Sequence, residues 1–228
     1  RTLEGLGMVI VHHLENSRSQ RVLWLLEELS AQYDIKSYHR LPETGMGPPE
    51  LYAVHPLGKS PLIEIDGVVI AETGAIFEYL LEQYDADKTL HPAPGSDLHR
   101  NHVYWLHYAE GSAMMPLLLK LIISAVPERA PGLLKGIFGL LLRPLHDKFI
   151  DLRIAEHVGY WDQQLAATGW FGGESFSAVD IMMSFPVEAA NQRIGLSNYP
   201  HVQAFLDRIH QRPAYQAALA RGGPYIYA

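Results

Sequence analysis

Leu62-Ile63-Glu64-Ile65-Asp66-Gly67-Val68-Val69-Ile70-Ala71-Glu72-Thr73 is the stretch on which the fold turns. Two short β-branched runs flank Asp66-Gly67, a dipeptide that tolerates the two positive φ angles of a type I′ turn, so the stretch reads as an antiparallel hairpin. From Thr73 to Tyr84 the period changes, and Ile76, Phe77, Leu80 and Leu81 fall on one face of a helix. Upstream, Met8 to Leu14 is an apolar strand, and Asn16-Ser17-Arg18-Ser19 breaks it. Gln20 to Ser30 then sets Val22, Leu25, Leu26 and Leu29 on a helical core stripe, with Glu27 and Glu28 toward water. Ile35 to Arg40 is a second strand, which makes the opening a parallel βαβ unit with a right-handed crossover. Residues 8–84 therefore read as an α/β domain of order βαβ-ββα, with the Gly/Pro-rich Thr44-Gly-Met-Gly-Pro-Pro49 as a loop inside it.

Asp85 to Asp97, with Asp-Ala-Asp-Lys and His91-Pro-Ala-Pro-Gly95, has the polar, Pro/Gly-rich composition of an interdomain linker. Residues 98–228 show no strand pattern and read as an all-α domain. Helices are expected at Leu98–Ser124, Leu145–Ala167, Val179–Ile194, Val202–Ile209 and Pro213–Ala220. Val126-Pro-Glu-Arg-Ala-Pro-Gly132 interrupts the first two, and the apolar piece after it takes no assignment from its pattern. Arg1 to Gly7 precedes Met8, lacks an apolar leader core and reads as an extra arm outside the fold.

With 48% hydrophobic and 19% charged residues among 228, the chain has the composition of a folded globular protein. A net charge of −7 and the lack of any Lys/Arg run argue against nucleic acid and anionic membranes as partners. The longest apolar stretch, Ile137 to Leu142, falls far short of the roughly 20 residues of a membrane span, so a soluble protein is expected. There is no cysteine, which excludes disulfides, thiolate metal sites and a protein sulfur nucleophile; thiol chemistry has to come from a ligand. Twelve histidines include His12-His13 and the i, i+3 pair His99 and His102. Neighbouring strand residues point to opposite faces and no HExxH or Cys/His cluster is present, so no metal is expected.

Three segments carry a resemblance. The first is Asn16-Ser17-Arg18-Ser19-Gln20-Arg21-Val22-Leu23-Trp24, where a hydroxyl stands at a helix N-terminus four residues before Arg21. The second is His55-Pro-Leu-Gly-Lys59-Ser60-Pro61, followed after the hairpin by Glu72-Thr73 at the start of a helix. The third is Trp170-Phe-Gly-Gly-Glu-Ser-Phe-Ser177-Ala-Val-Asp180, with a capping box formed by Ser177 and Asp180. Together they resemble the glutathione transferase family, most closely its serine-type, theta-like bacterial and fungal branch. The resemblance implies a thioredoxin-like glutathione-binding domain joined to an all-helical C-terminal domain, glutathione as co-substrate without a metal, and a cytoplasmic homodimer. It further implies that Ser17 donates to the glutathione thiolate at a helix N-terminus that itself favours negative charge. Lys59 would neutralise the glycyl carboxylate, Ser60 with a cis Pro61 would pair with the peptide backbone, and Glu72 and Thr73 would hold the γ-glutamyl end. Asn16 and Ser19 are rivals to Ser17, and ordinary N-capping accounts for any one of these serines by itself. The family more often has Val where Ser60 stands. The activity implied is attack of the thiolate on a small hydrophobic electrophile in conjugation, with peroxide reduction as another use. The alternative is a catalytically silent glutathione-binding or regulatory protein on the same fold. Trp105, Tyr108, Met114 and Met115 fit either an electrophile pocket or core packing.

Overall fold

The computed structural model describes residues 7–228, the side chain of Leu133 excepted, so the arm before Gly7 lies outside the described residues. Strand β1 (Val9–Leu14) leads into helix α1 (Ser19–Glu28) and strand β2 (Tyr33–Tyr38), then the short helix α2 (Pro49–Val54). Strands β3 (Leu62–Ile65) and β4 (Val68–Ala71) and helix α3 (Thr73–Tyr84) follow. The sheet order is β2-β1-β3-β4. Strand β1 runs parallel to β2, from Val9↔Tyr33 to Leu14↔Tyr38, and antiparallel to β3 at Ile10↔Glu64 and His12↔Leu62. Asp66 and Gly67 take φ of 51° and 77°, the two left-handed angles the hairpin reading requires. The sequence pattern missed α2, although Pro49 in the first turn followed by Glu50 is a helix-start signal. Its Leu51 and Val54 pack with Leu14, Tyr38 and Leu62 in one cluster.

The described residues through His102 form one compact unit with Arg208–Ala228, and Val103–Asp207 forms the other. Sequence patterning had attached the whole chain end to the helical domain. Helix α10 (Pro213–Gly222) instead lies against α1, and this corrects the reading of Glu27 and Glu28 as a solvated face. Glu28 accepts from Trp24 Nε1 at 2.8 Å and from Arg212 Nε and Nη2 at 2.6 and 2.8 Å. Glu27 accepts from the Tyr33 hydroxyl at 2.6 Å and from Arg221 Nη1 at 3.2 Å. Trp24 is 1% exposed and meets Tyr215 edge to face, so α1 is buried from Ser19 to Leu26 on every side. An amphipathic stripe identifies a helix with one wet side; here the polar side is covered by partners of opposite charge.

The connection from α3 to helix α4 (Asp97–Tyr108) has the expected composition and a defined shape. The buried carboxylate of Asp85 accepts from Thr89 N, Thr89 Oγ1, Leu90 N and His91 N at 2.8 to 3.1 Å, which pins the backbone as far as His91. Helix α4 continues through a π-helical turn at Ala109–Ala113 into α5 (Met114–Arg129). The break comes at Ala130-Pro131, later than the sequence suggests, because Pro131 drives Ala130 to an extended ψ of 146° whereas Pro127 is tolerated inside the helix. The unassigned apolar piece is helix α6 (Gly132–Leu145). Gly132, Gly136 and Gly139 with Pro131 and Pro144 are helix-breaking signals that mask its helical pattern. Ile122 on α5 and Leu140 and Leu141 on α6 are 55%, 72% and 67% exposed, which leaves the pair with an uncovered apolar surface. Among the described residues one continuous helical stretch, Asp97–Arg129, is long and apolar enough to cross a membrane by length and composition, contrary to the reading based on Ile137 to Leu142 alone.

After a second π-helical turn come α7 (Asp151–Thr168), α8 (Ala178–Ile194) and α9 (Pro200–His210). Helix α8 is buried from Ala178 to Ala190. Its N-terminus carries the capping box that the sequence shows: Asp180 accepts from Ser177 N at 2.8 Å and Ser177 Oγ at 3.2 Å, and its other oxygen from Phe171 N at 2.7 Å. Trp105 and Met114 are buried and Met115 is 68% exposed, so core packing accounts for the first two.

Candidate active site

Strand β1 ends at Leu14, and the chain turns through Asn16, whose φ of 49° is left-handed, into the first turn of α1. Asn tolerates that conformation better than most residues. The Asn16 side-chain oxygen accepts from Ile226 N at 2.9 Å and its carbonyl accepts from Arg40 Nη2 at 3.1 Å, so its oxygen atoms serve the turn. Ser17, 6% exposed, places Oγ where it accepts from Ser19 N at 3.2 Å. It therefore does satisfy one of the open N–H groups at the start of α1, in the manner of a cap. This leaves the Ser17 proton to be donated.

That proton has a partner already. The Ser17 and Ser19 hydroxyls are 2.7 Å apart, and Ser19 Oγ is 2.8 Å from His13 Nδ1. His13 is 3% exposed, and its ring donates to the carbonyl of Gly222 at the end of α10, so its Nε2 carries the proton and Nδ1 accepts. Ser19 Oγ has two acceptors within reach of its one proton, His13 Nδ1 and the Leu14 carbonyl at 3.3 Å, and with that proton so engaged it accepts from Ser17. The close approach requires Gly222: a Cβ there would lie 2.7 Å from Gln20 Oε1 and 3.4 Å from His13 Nε2. His12 points to the opposite face, as strand alternation demands, and meets the Tyr38 hydroxyl at 2.8 Å.

Burial holds the pKa of His13 below the ordinary value of 6.5, and the same cause lowers His12 and His157. A base that is harder to protonate when folded takes up protons preferentially on unfolding. Its penalty is absent above about pH 6.5 and grows as the pH falls from there toward the folded pKa. The melting temperature is accordingly expected to decline between pH 7 and pH 5. His13→Asn, which keeps a hydrogen-bonding side chain without the titration, should flatten part of the decline, and an unchanged slope would count against it.

Ser60 and Pro61 are joined by a cis peptide bond, as expected from the resemblance. The β1–β3 ladder would continue from His12↔Leu62 to a Leu14–Ser60 pair, but Pro61 has no N–H to offer. The Ser60 side chain takes the place of the ladder: Oγ donates to His12 O at 2.8 Å and accepts from Leu14 N at 3.2 Å. Replacing Ser60 by Val strands both strand groups and should cost about 1–3 kcal/mol, read as a lower melting temperature. A Val variant as stable as the parent would show that the hydroxyl contributes nothing net.

Lys59 and Glu72 are exposed, and Thr73 is 4% exposed at the start of α3. Glu72 has φ 72° and ψ 124°, a conformation that L side chains rarely adopt and that persists where the surroundings impose it, often at ligand sites. Thr73 Oγ1 accepts from Nη2 of the buried Arg21 at 3.5 Å, which links α3 to the first turn of α1. The structure thus connects Ser17, Ser60 and Thr73 to the C-terminal end of β1 and the start of α1. Lys59 and Glu72, next in sequence to Ser60 and Thr73, are exposed and carry opposite charges. The chemistry available is a hydroxyl donor at a helix N-terminus in a unit that also exposes groups suited to charged peptide ends.

The family descriptions "Glutathione S-transferase, N-terminal domain" and "Glutathione S-transferase, C-terminal domain" match residues 7–82 and 143–221. Glutathione S-transferase 3 of Schizosaccharomyces pombe is 33% identical over 213 residues, covering 92% of this chain and 86% of that protein. The chain belongs to the glutathione S-transferase family. Glutathione S-transferase 1 of Saccharomyces cerevisiae is 30% identical, covering 94% of this chain and 95% of that one. The solved structure of a glutathione S-transferase from Actinobacillus pleuropneumoniae aligns with a TM-score of 0.82 and 30% identity over 96% of this chain and 94% of its own. The two-part fold expected from the resemblance is that of the transferases.

In this transferase, sequence reasoning passed over two groups beside Ser17. Ser19 stood only as its rival, and His13 only as one of two adjacent strand histidines. Spacing links neither to Ser17. The link depends on α10 bringing the Gly222 carbonyl to the back of the His13 ring, a contact between residues more than two hundred positions apart. Arg21 was visible by its spacing from Ser17, but its contact with Thr73 requires the packing of α1 against α3.

Proposed function

We propose that this transferase binds glutathione in its N-terminal unit and uses the Ser17 hydroxyl to stabilise the thiolate for attack on a small hydrophobic electrophile. The observation that carries the reading is the state of Ser17. One lone pair is held by Ser19 N–H, and its proton is lent to a neutral hydroxyl that a charged sulfur would outbid. In the reaction the glutathione S–H proton passes to solvent. The thiolate forms a C–S bond, and the electrophile either releases a leaving group or takes up a proton. Peroxide reduction is a second use of the same thiolate. Lys59 is assigned to the glycyl carboxylate, Ser60 and Pro61 to the peptide backbone, Glu72 to the α-ammonium, and Thr73 to the γ-glutamyl carboxylate. Asn16 and Ser19 are assigned to support, because their side chains already serve the turn and His13.

The test is calorimetric titration with glutathione, followed by ultraviolet absorbance of the bound thiolate against pH. Saturable binding with a thiol pKa below that of free glutathione supports the reading. Binding without turnover of any electrophile leaves a silent binding protein, and absence of binding overturns both. We also assign the protein to the cytoplasm as a homodimer, the apolar surface of α5 and α6 being of the kind a second copy covers. A sedimentation mass of one chain, or recovery with membranes on account of the apolar stretch Asp97–Arg129, would overturn that assignment.

A further inference from the structure

We propose that Glu78 on α3, His91 in the connection and His102 on α4 form a binding site for a divalent transition-metal ion of the zinc type. This inference is independent of the glutathione reading. His102 is 1% and His91 9% exposed, and neither ring nitrogen of either residue has a hydrogen-bond partner. Buried polar groups are ordinarily paired, and two adjacent buried imidazoles with all four nitrogens unpaired point to an absent ligand. The rings face each other with centroids 4.7 Å apart and 33° between planes. One donor atom from each of Glu78, His91 and His102 can be chosen so that all three lie within 4.8 Å of one another, and Glu78 Oε1 is 3.9 Å from His102 Nε2.

Zinc holds its donors at about 2.1 Å, which spaces them about 3.4 Å apart in a tetrahedron. The Glu78 side chain, 47% exposed, is able to swing and close its 3.9 Å distance to His102 Nε2 to that spacing. Asp85 fixes the His91 amide at 2.8 Å, and helices α3 and α4 carry the other two residues. Two imidazoles and one carboxylate make a borderline donor set that suits zinc or its neighbours and not magnesium or calcium. No cysteine exists elsewhere in the chain to compete for the ion. His99, half-buried with its ring 5.6 Å from that of His91, stands at the rim where a water or this imidazole completes the shell. The ion would clamp the connection to both helices.

The experiment uses the full chain, stripped with a chelator and dialysed against zinc chloride, with metal content, calorimetry and the visible spectrum of the cobalt-substituted form as readouts. One zinc per chain is expected, with the intense cobalt absorption of a four-coordinate site. Zinc should raise the melting temperature of the parent. Glu78→Gln removes an exposed charge without disturbing the core and should weaken zinc binding at least about tenfold; His91→Gln and His102→Gln should weaken it more. If the buried variants fail to fold, Glu78→Gln decides alone. Substoichiometric zinc, or affinity unchanged in Glu78→Gln, places any bound ion on surface histidines and overturns the proposal.

Discussion

Replacing Ser17 by Ala should raise the pKa of bound glutathione by about one to two units. A hydrogen bond to a charged group contributes about 1.5–3 kcal/mol, and each pKa unit corresponds to about 1.4 kcal/mol. The N-terminus of α1 contributes a further 0.3–1 kcal/mol or so, which the substitution leaves in place, so the hydroxyl is the larger of the two effects. A cysteine-like thiol starts near 8.5, and the variant should therefore remain somewhat below that value. The kinetic consequence is specific in pH: kcat/KM toward an aryl halide should fall about tenfold near pH 6.5 and recover most of the loss near pH 9, where the thiolate forms unaided. A loss of equal size at every pH would mean that Ser17 holds the loop and not the thiolate. Ser19→Ala should do less, because it removes the resting partner of the Ser17 proton and keeps the Ser19 amide that orients Ser17.

The second large effect concerns stability. Asp180→Ala should lower the melting temperature by about 10 °C. Asp180 is fully buried and accepts from two backbone amides, Phe171 and Ser177, and from the Ser177 hydroxyl. Its removal strands those donors at the start of a helix buried for most of its length, and each unsatisfied group costs about 1–3 kcal/mol. A total of about 3–5 kcal/mol corresponds to that shift for a chain of this size. Asp180→Asn should fall between, since an amide oxygen still accepts from Phe171 N while its NH2 cannot accept from Ser177 N. A melting temperature within a degree or two of the parent would show that water replaces the carboxylate and that the box is not what holds α8.

Much of this molecule was written locally. The hairpin around Asp66-Gly67, the strand-to-helix passage at Ser17 and the box at Ser177 and Asp180 each depend on residues within a few positions, where turn conformation and capping chemistry act without help from the rest of the chain. Sequence alone therefore carried the order of strands and helices in the first domain apart from the short α2, and the helical second half, and it offered the candidate residues around the starts of α1 and α3. The tertiary structure decided what lies beyond that reach. It turned the supposed wet face of α1 into an interface, because Arg212 and Arg221 return from the chain end to meet Glu28 and Glu27. It made a hydrogen-bonded row of Ser17, Ser19 and His13, and it set Glu78 and His91 beside His102. A local pattern records which side of a helix or strand is apolar, whereas the partner of a buried polar group is chosen by whichever distant segment packs there, and no spacing rule carries that choice.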